Sequence, residues 1–119
     1  MTRGRTAIQL LDDIHSAGRK ALEFLGNLSI ESLQQDEKTL FAVIRALEII
    51  GEATKRLPDD ARALSPAVPW KAVAGMRDKL VHDYVLVNVE IVWRTVREDL
   101  PPLLSEVDRM RYELSRDSS

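Results

Sequence analysis

Arginine, histidine and tyrosine stand close together in one short segment of the chain, residues 76–84, which reads Met-Arg-Asp-Lys-Leu-Val-His-Asp-Tyr. The planar guanidinium of Arg77 can donate two hydrogen bonds to a phosphate and stays charged at any physiological pH. The imidazole of His82 can take a proton from a ribose 2′-hydroxyl, and its protonated form can give one to the leaving oxygen. Arg77 and His82 are therefore suited to metal-independent cleavage of RNA.

A single regular helix does not bring these side chains together. At about 100° per residue, Arg77 and Tyr84 lie almost on one line, whereas His82 points about 140° away from Arg77. Either the helix unwinds near His82, or a second copy of the chain completes the site. We favour the second copy, with or without local unwinding, because a dimer would supply both a base and an acid.

An ordinary structural interpretation competes with this one. Arg77 can pair with Asp78, with Asp83 or with a carboxylate on the second helix, and Tyr84 can be an aromatic at the edge of the core. His82 can be an end-of-helix histidine, which the helix dipole favours. Residue types alone favour this interpretation, because a motif needs a structural context before it indicates catalysis.

The rest of the chain predicts a helical scaffold around the segment. Its 119 residues are 45% hydrophobic and 30% charged, with only 5 glycines and 5 prolines, which suits one soluble domain. There is no cysteine, so disulfides and thiolate metal sites are excluded. Because the net charge is −2, RNA would need a local basic rim, for which Arg45, Arg56, Lys71 and Lys79 are candidates.

Apolar residues at spacings of three and four indicate where the helices lie. They predict long helices at about 6–27, 36–57, 69–84 and 88–114, with short pieces at 29–32 and 58–64. Pro101 and Pro102 are expected to kink or break the last helix. The predicted fold class is all-α, an up-and-down bundle of four to five helices. It forms one domain, residues 1–119, with a core at about 6–114 and a frayed tail at 115–119.

Five further side chains outside the segment deserve a prediction. Glu48 and Glu52 are either a buried pair that orients Arg77 or part of a solvated ladder of ion pairs, with equal support from helix patterning. Trp70 and Trp93 are interpreted as core or interface anchors rather than as base-stacking platforms. His15 is placed on the surface, and with no nearby cluster of ligands we predict no metal site.

The spacing of Arg77, four residues, His82, one residue and Tyr84 resembles the RX4HXY signature of the HepT-like branch of the HEPN superfamily. The resemblance extends over roughly residues 7–107. It includes a helix-two segment at 46–53, Pro69-Trp70 before the motif, Trp93, and the sequence Asp-Leu-Pro at 99–101. The family often has asparagine directly after the arginine, where this chain has Asp78, and that carboxylate can either order Arg77 or weaken its attraction for phosphate.

The resemblance implies a homodimeric, HEPN-like bundle whose motif lines a cleft between subunits. It further implies a metal-independent RNase toxin of a HepT/MntA-type toxin–antitoxin pair, with Arg77 and His82 as the catalytic pair and no cofactor. Tyr84 would receive AMP from the cognate minimal nucleotidyltransferase antitoxin, which adds negative charge where RNA must bind.

A function of a different class remains open, namely a non-catalytic helical dimer that binds a nucleotidyltransferase, a nucleotide or RNA. Asp12 and Asp13 interrupt the first apolar stretch too early for a signal peptide, and no segment reaches transmembrane length. We therefore expect a cytoplasmic protein without a membrane partner.

Overall fold

The computed structural model describes residues 5–76, 78 and 88–117, and these ranges contain helices and connecting turns but no strand. The helices are α1 (Ala7–Leu25), α2 (Ile30–Gln35), α3 (Glu37–Arg56), α4 (Asp59–Arg62), α5 (Trp70–Ala74), α6 (Val89–Arg94), a π-helical turn (Thr95–Asp99) and α7 (Leu100–Asp117). The predicted all-α class is confirmed. No helix in the described ranges is long and apolar enough to cross a lipid bilayer.

Side chains at the helix ends explain why α1 and α3 begin where they do. The Gln9 N–H donates to the Thr6 hydroxyl, and the Thr6 N–H donates in return to the Gln9 side chain. Asp36 accepts from the Thr39 N–H in the same way at the start of α3. Such caps satisfy backbone donors that have no partner inside the helix. Gly26 then ends α1 with φ at 53°, a conformation that glycine adopts without steric cost.

The core lies where α1, α3 and the α6–α7 helix meet. Its fully buried large side chains are Leu11, Ile14, Leu25, Leu33, Val43, Leu47, Ile50, Val92, Val96, Leu100 and Met110. Gly18 lets α1 and α7 approach closely, because a Cβ at this position would stand 2.5 Å from Cδ2 of Leu104. The bundle is therefore built mainly from aliphatic side chains, as the low aromatic content predicts.

Of the two predicted effects of Pro101 and Pro102, a kink or a break, the structure excludes the break, because the helix continues through both residues. Proline cannot donate to the preceding turn, and its ring crowds the carbonyl four residues back. The π-helical turn directly before the prolines accommodates this change, since the Leu100 N–H donates to the Thr95 carbonyl five residues back. The helix then continues to Asp117, three residues beyond the predicted end at Leu114 and into the predicted frayed tail.

Candidate active site

Helix α5 leads into the Arg-His-Tyr segment, and hydrogen bonds to backbone carbonyls fix its first residue. Trp70 is buried, and its indole Nε1 donates to the carbonyls of Arg62 and Ser65, at 3.0 Å each. Nη2 of Arg62 donates in turn to the Thr54 carbonyl at 2.8 Å. The start of α5 is therefore connected to α4 and to the C-terminal turn of α3, as expected for a tryptophan that acts as a core anchor.

A second set of polar contacts ties the chain before α5 to α7. The buried Ser65 hydroxyl donates to Oε1 of Glu106 at 2.5 Å. Nη2 of Arg109 donates to the same carboxylate at 3.0 Å and to the Leu64 carbonyl at 2.9 Å. The hydrogen bond from Ser65, followed by that from Arg109, lowers the pKa of Glu106. These contacts are not evident in the sequence, where only the Ser-Pro break at residues 65–66 indicates a special turn.

The three residues of the predicted catalytic and modification site, Arg77, His82 and Tyr84, lie outside the described residues. Their neighbour Asp78 is described, and its N–H donates to the Gly75 carbonyl at 3.0 Å. Asp78 is exposed to solvent. The roles of Arg77, His82, Tyr84 and Asp78 therefore remain predictions from the sequence.

The two glutamates on α3 differ in exposure. Glu48 is half-buried, and its carboxylate lies 3.7 Å from Nη1 of Arg45. Glu52 is exposed and lies 3.8 Å from Nη2 of Arg56. The solvated ladder is therefore the arrangement found at Glu52, and a buried pair of both carboxylates is not. An orienting role toward Arg77 stays a prediction.

The candidate basic rim divides between two faces of the molecule. Arg45 and Arg56 are exposed and line the outer surface between α1 and α3, whereas the exposed Lys71 stands on α5. Lys79 lies outside the described residues. Only Lys71 is therefore placed on the helix that leads into the motif, a distinction that residue types could not supply.

An apolar groove of about 510 Å³ separates α5 from the α6–α7 helix. Val73 of α5 and Met76, two residues after its end, line one side of the groove, and Ile91 and Leu103 line the opposite side. Glu106, which accepts from Ser65, stands at its polar edge. The lining of the groove extends to Met76, the residue before Arg77 in the sequence, and periodicity alone did not reveal the groove.

Trp93 also anchors a turn. Its Nε1 donates to the Leu28 carbonyl at 2.8 Å, and the Arg97 guanidinium lies 5.5 Å from the centre of its ring. Arg97 donates to the Gly26 carbonyl as well, which closes the turn between α1 and α2 onto the π-helical turn. The expectation that Trp93 is an anchor agrees with these contacts.

His15 is half-buried rather than on the surface, which corrects the earlier placement. It faces α7, where Arg111 forms ion pairs with Asp12 at 3.0 Å and with Asp108 at 2.6 Å. Burial, and after it the positive charge of Arg111, lowers the pKa of His15. Within the described ranges, no group of three or more His, Asp or Glu side chains stands close enough to hold a metal ion.

A sequence model of the family described as "Ribonuclease HepT-like" matches residues 14–110 of the chain. This span runs from the middle of α1 to near the end of α7 and contains positions 77, 82 and 84. The chain belongs to the HepT-like ribonuclease family. The resemblance inferred from the motif and its flanking residues is thereby confirmed.

Individual relatives agree with the family. The chain is 48% identical over 101 residues to "Probable ribonuclease HepT" of Thermococcus cleftensis, covering 85% of this chain and 92% of the relative. It is 40% identical over 100 residues to a Methanocaldococcus jannaschii protein provisionally named as an RNase, covering 84% and 83%. A similarly named protein of Caldanaerobacter subterraneus is 44% identical over 86 residues, covering 72% and 77%. No solved structure matches the chain.

Proposed function

We propose that this HepT-like chain is a metal-independent endoribonuclease that acts as the toxin of a toxin–antitoxin pair. The observation that carries the proposal is the spacing of Arg77, His82 and Tyr84 inside the span matched by the family. Relatives that cover most of the chain bear ribonuclease names, which supports RNA as the substrate.

The proposed reaction needs no group beyond the side chains of a homodimer. Arg77 binds the scissile phosphate, and a neutral His82 takes the proton from the adjacent 2′-hydroxyl. The 2′-oxygen then bonds to phosphorus while the bond from phosphorus to the 5′-oxygen breaks. The protonated His82 of the other protomer gives its proton to that 5′-oxygen. The products are a 2′,3′-cyclic phosphate and a 5′-hydroxyl.

The contacts around α5 support this chemistry indirectly. Catalytic groups act efficiently only when their own positions are fixed to within a fraction of an ångström. The bonds from Trp70 to two carbonyls fix the helix start seven residues before Arg77. The Ser65–Glu106 contact adds a second attachment, to α7. A helix fixed in this way can deliver Arg77 to a defined place.

We also propose that the cognate antitoxin silences the enzyme by modifying Tyr84. A nucleotidyltransferase would transfer AMP from ATP, so that the tyrosine oxygen bonds to the α-phosphorus and pyrophosphate leaves. The added phosphate is anionic and bulky, and it would repel and block the RNA backbone.

Glu48 and Glu52 on α3 are the candidates to orient Arg77 in the unmodified enzyme. Glu48 is half-buried and Glu52 is exposed.

RNA cleavage by purified protein in the presence of EDTA tests the enzymatic proposal. We expect wild type to produce 2′,3′-cyclic phosphate ends, and Arg77→Ala and His82→Ala to lose at least about a hundredfold in rate, the usual scale for general acid–base catalysis. Arg94→Ala, which removes an exposed cation on α6 outside the motif and outside the candidate basic rim, is the matched control. Equal rates in all four proteins would exclude the catalytic assignment, and RNA that is bound but left intact would favour the non-catalytic dimer.

Intact-protein mass spectrometry tests the regulatory proposal. Co-expression with a candidate minimal nucleotidyltransferase antitoxin should add the mass of one or more AMP groups to wild type and none to Tyr84→Phe. Tyr112→Phe, at an exposed tyrosine of α7, serves as the control and should be modified like wild type. An unmodified wild type, or a modified Tyr84→Phe, would contradict the proposed acceptor.

A further inference from the structure

The outer surface between α1 and α3 carries a long groove that the proposed catalytic site does not use. We call it the α1–α3 face. Its upper part has a volume of about 360 Å³ and its lower part about 130 Å³, and both parts are lined by Asp13, Arg45 and Ile49. Small side chains, Ala42 and Ala46, line the upper part. The two helices therefore leave a continuous furrow rather than a closed seam.

Two exposed aromatic rings lie toward one end of this face, Phe24 in the groove lining and Phe41 one residue before the lining Ala42, and a cation follows one turn further along on each helix. On α1, Lys20 is followed one helical turn later by Phe24, and on α3, Phe41 is followed one turn later by Arg45. Residues four apart are neighbours on a helix surface. Phe24 is 45% exposed and Phe41 is 58% exposed, so each ring keeps a large part of its apolar surface open to a ligand.

The charges on the face are available to an anion. Asp13, the carboxylate shared by both parts of the groove, is already paired with Arg5 at 2.6 Å. Nη1 of Arg45 lies 3.7 Å from Oε1 of Glu48, which is long for an ion pair. The Arg45 side chain is 72% exposed. Exposed pairs of this kind are weak, so the guanidinium can turn to a stronger partner. Lys20 is exposed at the groove edge.

We propose that the α1–α3 face binds single-stranded RNA outside the catalytic cleft and so holds the substrate while the motif cuts it. Bases stack on Phe24 and Phe41 at one end of the groove, and Lys20 and Arg45, one turn further along it, contact the neighbouring phosphates. Aromatic platforms beside cations are the pattern by which proteins bind single strands without reading sequence. The inference rests on the proposed ribonuclease function, because it assigns a further contact to the same substrate.

A protein partner fits the face less well. Stable protein interfaces bury about 800 Å² on each side around an apolar centre. Here the apolar surface is confined to two rings and a narrow floor of alanine and isoleucine, with charged residues on both sides. An RNA strand needs only the rings and the cations.

Fluorescence anisotropy with a labelled twelve-nucleotide oligouridine measures the proposed contact. All proteins carry His82→Ala, so that the RNA is not cut during the titration. Phe24→Ala combined with Phe41→Ala should weaken binding by about tenfold or more, given the usual strength of base stacking. Phe24→Tyr combined with Phe41→Tyr should retain the affinity. Tyr112→Ala, which removes an aromatic ring that is 64% exposed on α7, is the matched control.

The salt dependence of binding tests the cations separately. Each phosphate contact that is lost should reduce the slope of log Kd against log salt by about 0.7 for a single strand. We expect this reduction for Lys20→Gln and for Arg45→Gln. Arg94→Gln is the control, because Arg94 on α6 also pairs with a carboxylate, that of Glu90 at 3.4 Å. This variant should leave the slope unchanged.

Cleavage kinetics in the otherwise wild-type enzyme separate this inference from the proposed function. The double alanine variant should raise KM for a long single-stranded RNA by about tenfold and leave kcat unchanged. If wild type cleaves RNA and the double alanine variant has the same KM and the same RNA affinity as wild type, the inference is overturned and the proposed function is not. A wild type that cleaves no RNA overturns the proposed function. Unchanged RNA affinity with an altered mass in light scattering would make the face an interface between copies, which also overturns the inference.

Discussion

The α1–α3 pair and the connector between α3 and α5 (residues 57–69) differ in how much side-chain hydrogen bonds contribute to their packing. Between α1 and α3, contact is made by aliphatic side chains that are fully buried, such as Leu11 and Leu47. In the connector, Leu57 and Val68 are buried too, but hydrogen bonds of side chains add to the packing, from Trp70 to two carbonyls and from Ser65 to Glu106. Apolar packing tolerates small shifts, whereas hydrogen bonds fix direction. The bundle therefore supplies stability, and the connector sets the position of the helix that leads into the motif.

The same substitution in the two regions should give the largest contrast. Leu47→Ala removes a side chain with no exposed surface from the core and should lower the free energy of unfolding by about 2–5 kcal/mol. Leu64→Ala, in the connector, removes a half-buried side chain and should cost clearly less. Urea unfolding followed by circular dichroism measures both. Equal losses would contradict the smaller apolar contribution expected of the half-buried Leu64.

The two indoles allow a matched comparison of anchoring. Trp70→Phe leaves the carbonyls of Arg62 and Ser65 without their buried donor and should cost about 1–3 kcal/mol. Trp93→Phe frees only the Leu28 carbonyl and should cost less. If the connector positions the motif, RNA cleavage should fall further in Trp70→Phe than in Trp93→Phe at a temperature where both are folded. A larger loss of activity in Trp93→Phe would assign the positioning to the α1–α2 turn.

Periodicity predicted the helices well because their apolar faces and caps are local. Helix α1 was expected at about 6–27 and spans Ala7–Leu25, and α3 was expected at about 36–57 and spans Glu37–Arg56. For Pro101 and Pro102 the sequence predicts a kink or a break, and the structure excludes only the break. A proline indicates a missing donor, but the sequence does not show that five-residue hydrogen bonding before it can keep the helix running.

The sequence suggests what kind of site this is, which stays a prediction, but it did not reveal the contacts of the elements around it. The types and spacing of Arg77, His82 and Tyr84 indicate a chemistry without any coordinates. The contact between Ser65 and Glu106 joins residues 41 positions apart, and such pairs are set by how α7 packs on the connector. Likewise, the exposure of Glu52 depends on which way α3 is rotated against α1, which helix patterning left open.

Acid should weaken the connector before it weakens the core. Because the pKa of Glu106 is lowered in the folded protein, its contribution to stability is present above its ordinary pKa of about 4.5 and is lost as pH falls through the lower folded value. Ser65→Ala removes the hydroxyl that donates to Glu106 and should lower the urea midpoint at pH 6.5. The decrease should be smaller than that of Trp70→Phe, which leaves two carbonyls without a donor. The difference between Ser65→Ala and wild type should shrink at pH 4.0. Ser105→Ala, at an exposed serine on the same helix as Glu106, is the control, and a constant difference at both pH values would contradict the role of the carboxylate.

The smallest effect is expected at His15, on the seam between α1 and α7, where burial and Arg111 lower the pKa of the imidazole. Asp108 and Asp12 oppose that shift and Arg19 adds to it, so the net change is modest. A folded-state pKa below the ordinary 6.5 means that protonation favours the unfolded chain, so this contribution to stability is lost as pH falls below that value. His15→Gln should therefore reduce the fall in urea midpoint between pH 7.5 and pH 5.5. His82→Gln, at the second of the 2 histidines, is the control and should show the same fall in urea midpoint as wild type. A smaller fall in His82→Gln than in His15→Gln would assign the pH sensitivity to the motif rather than to the contact between α1 and α7.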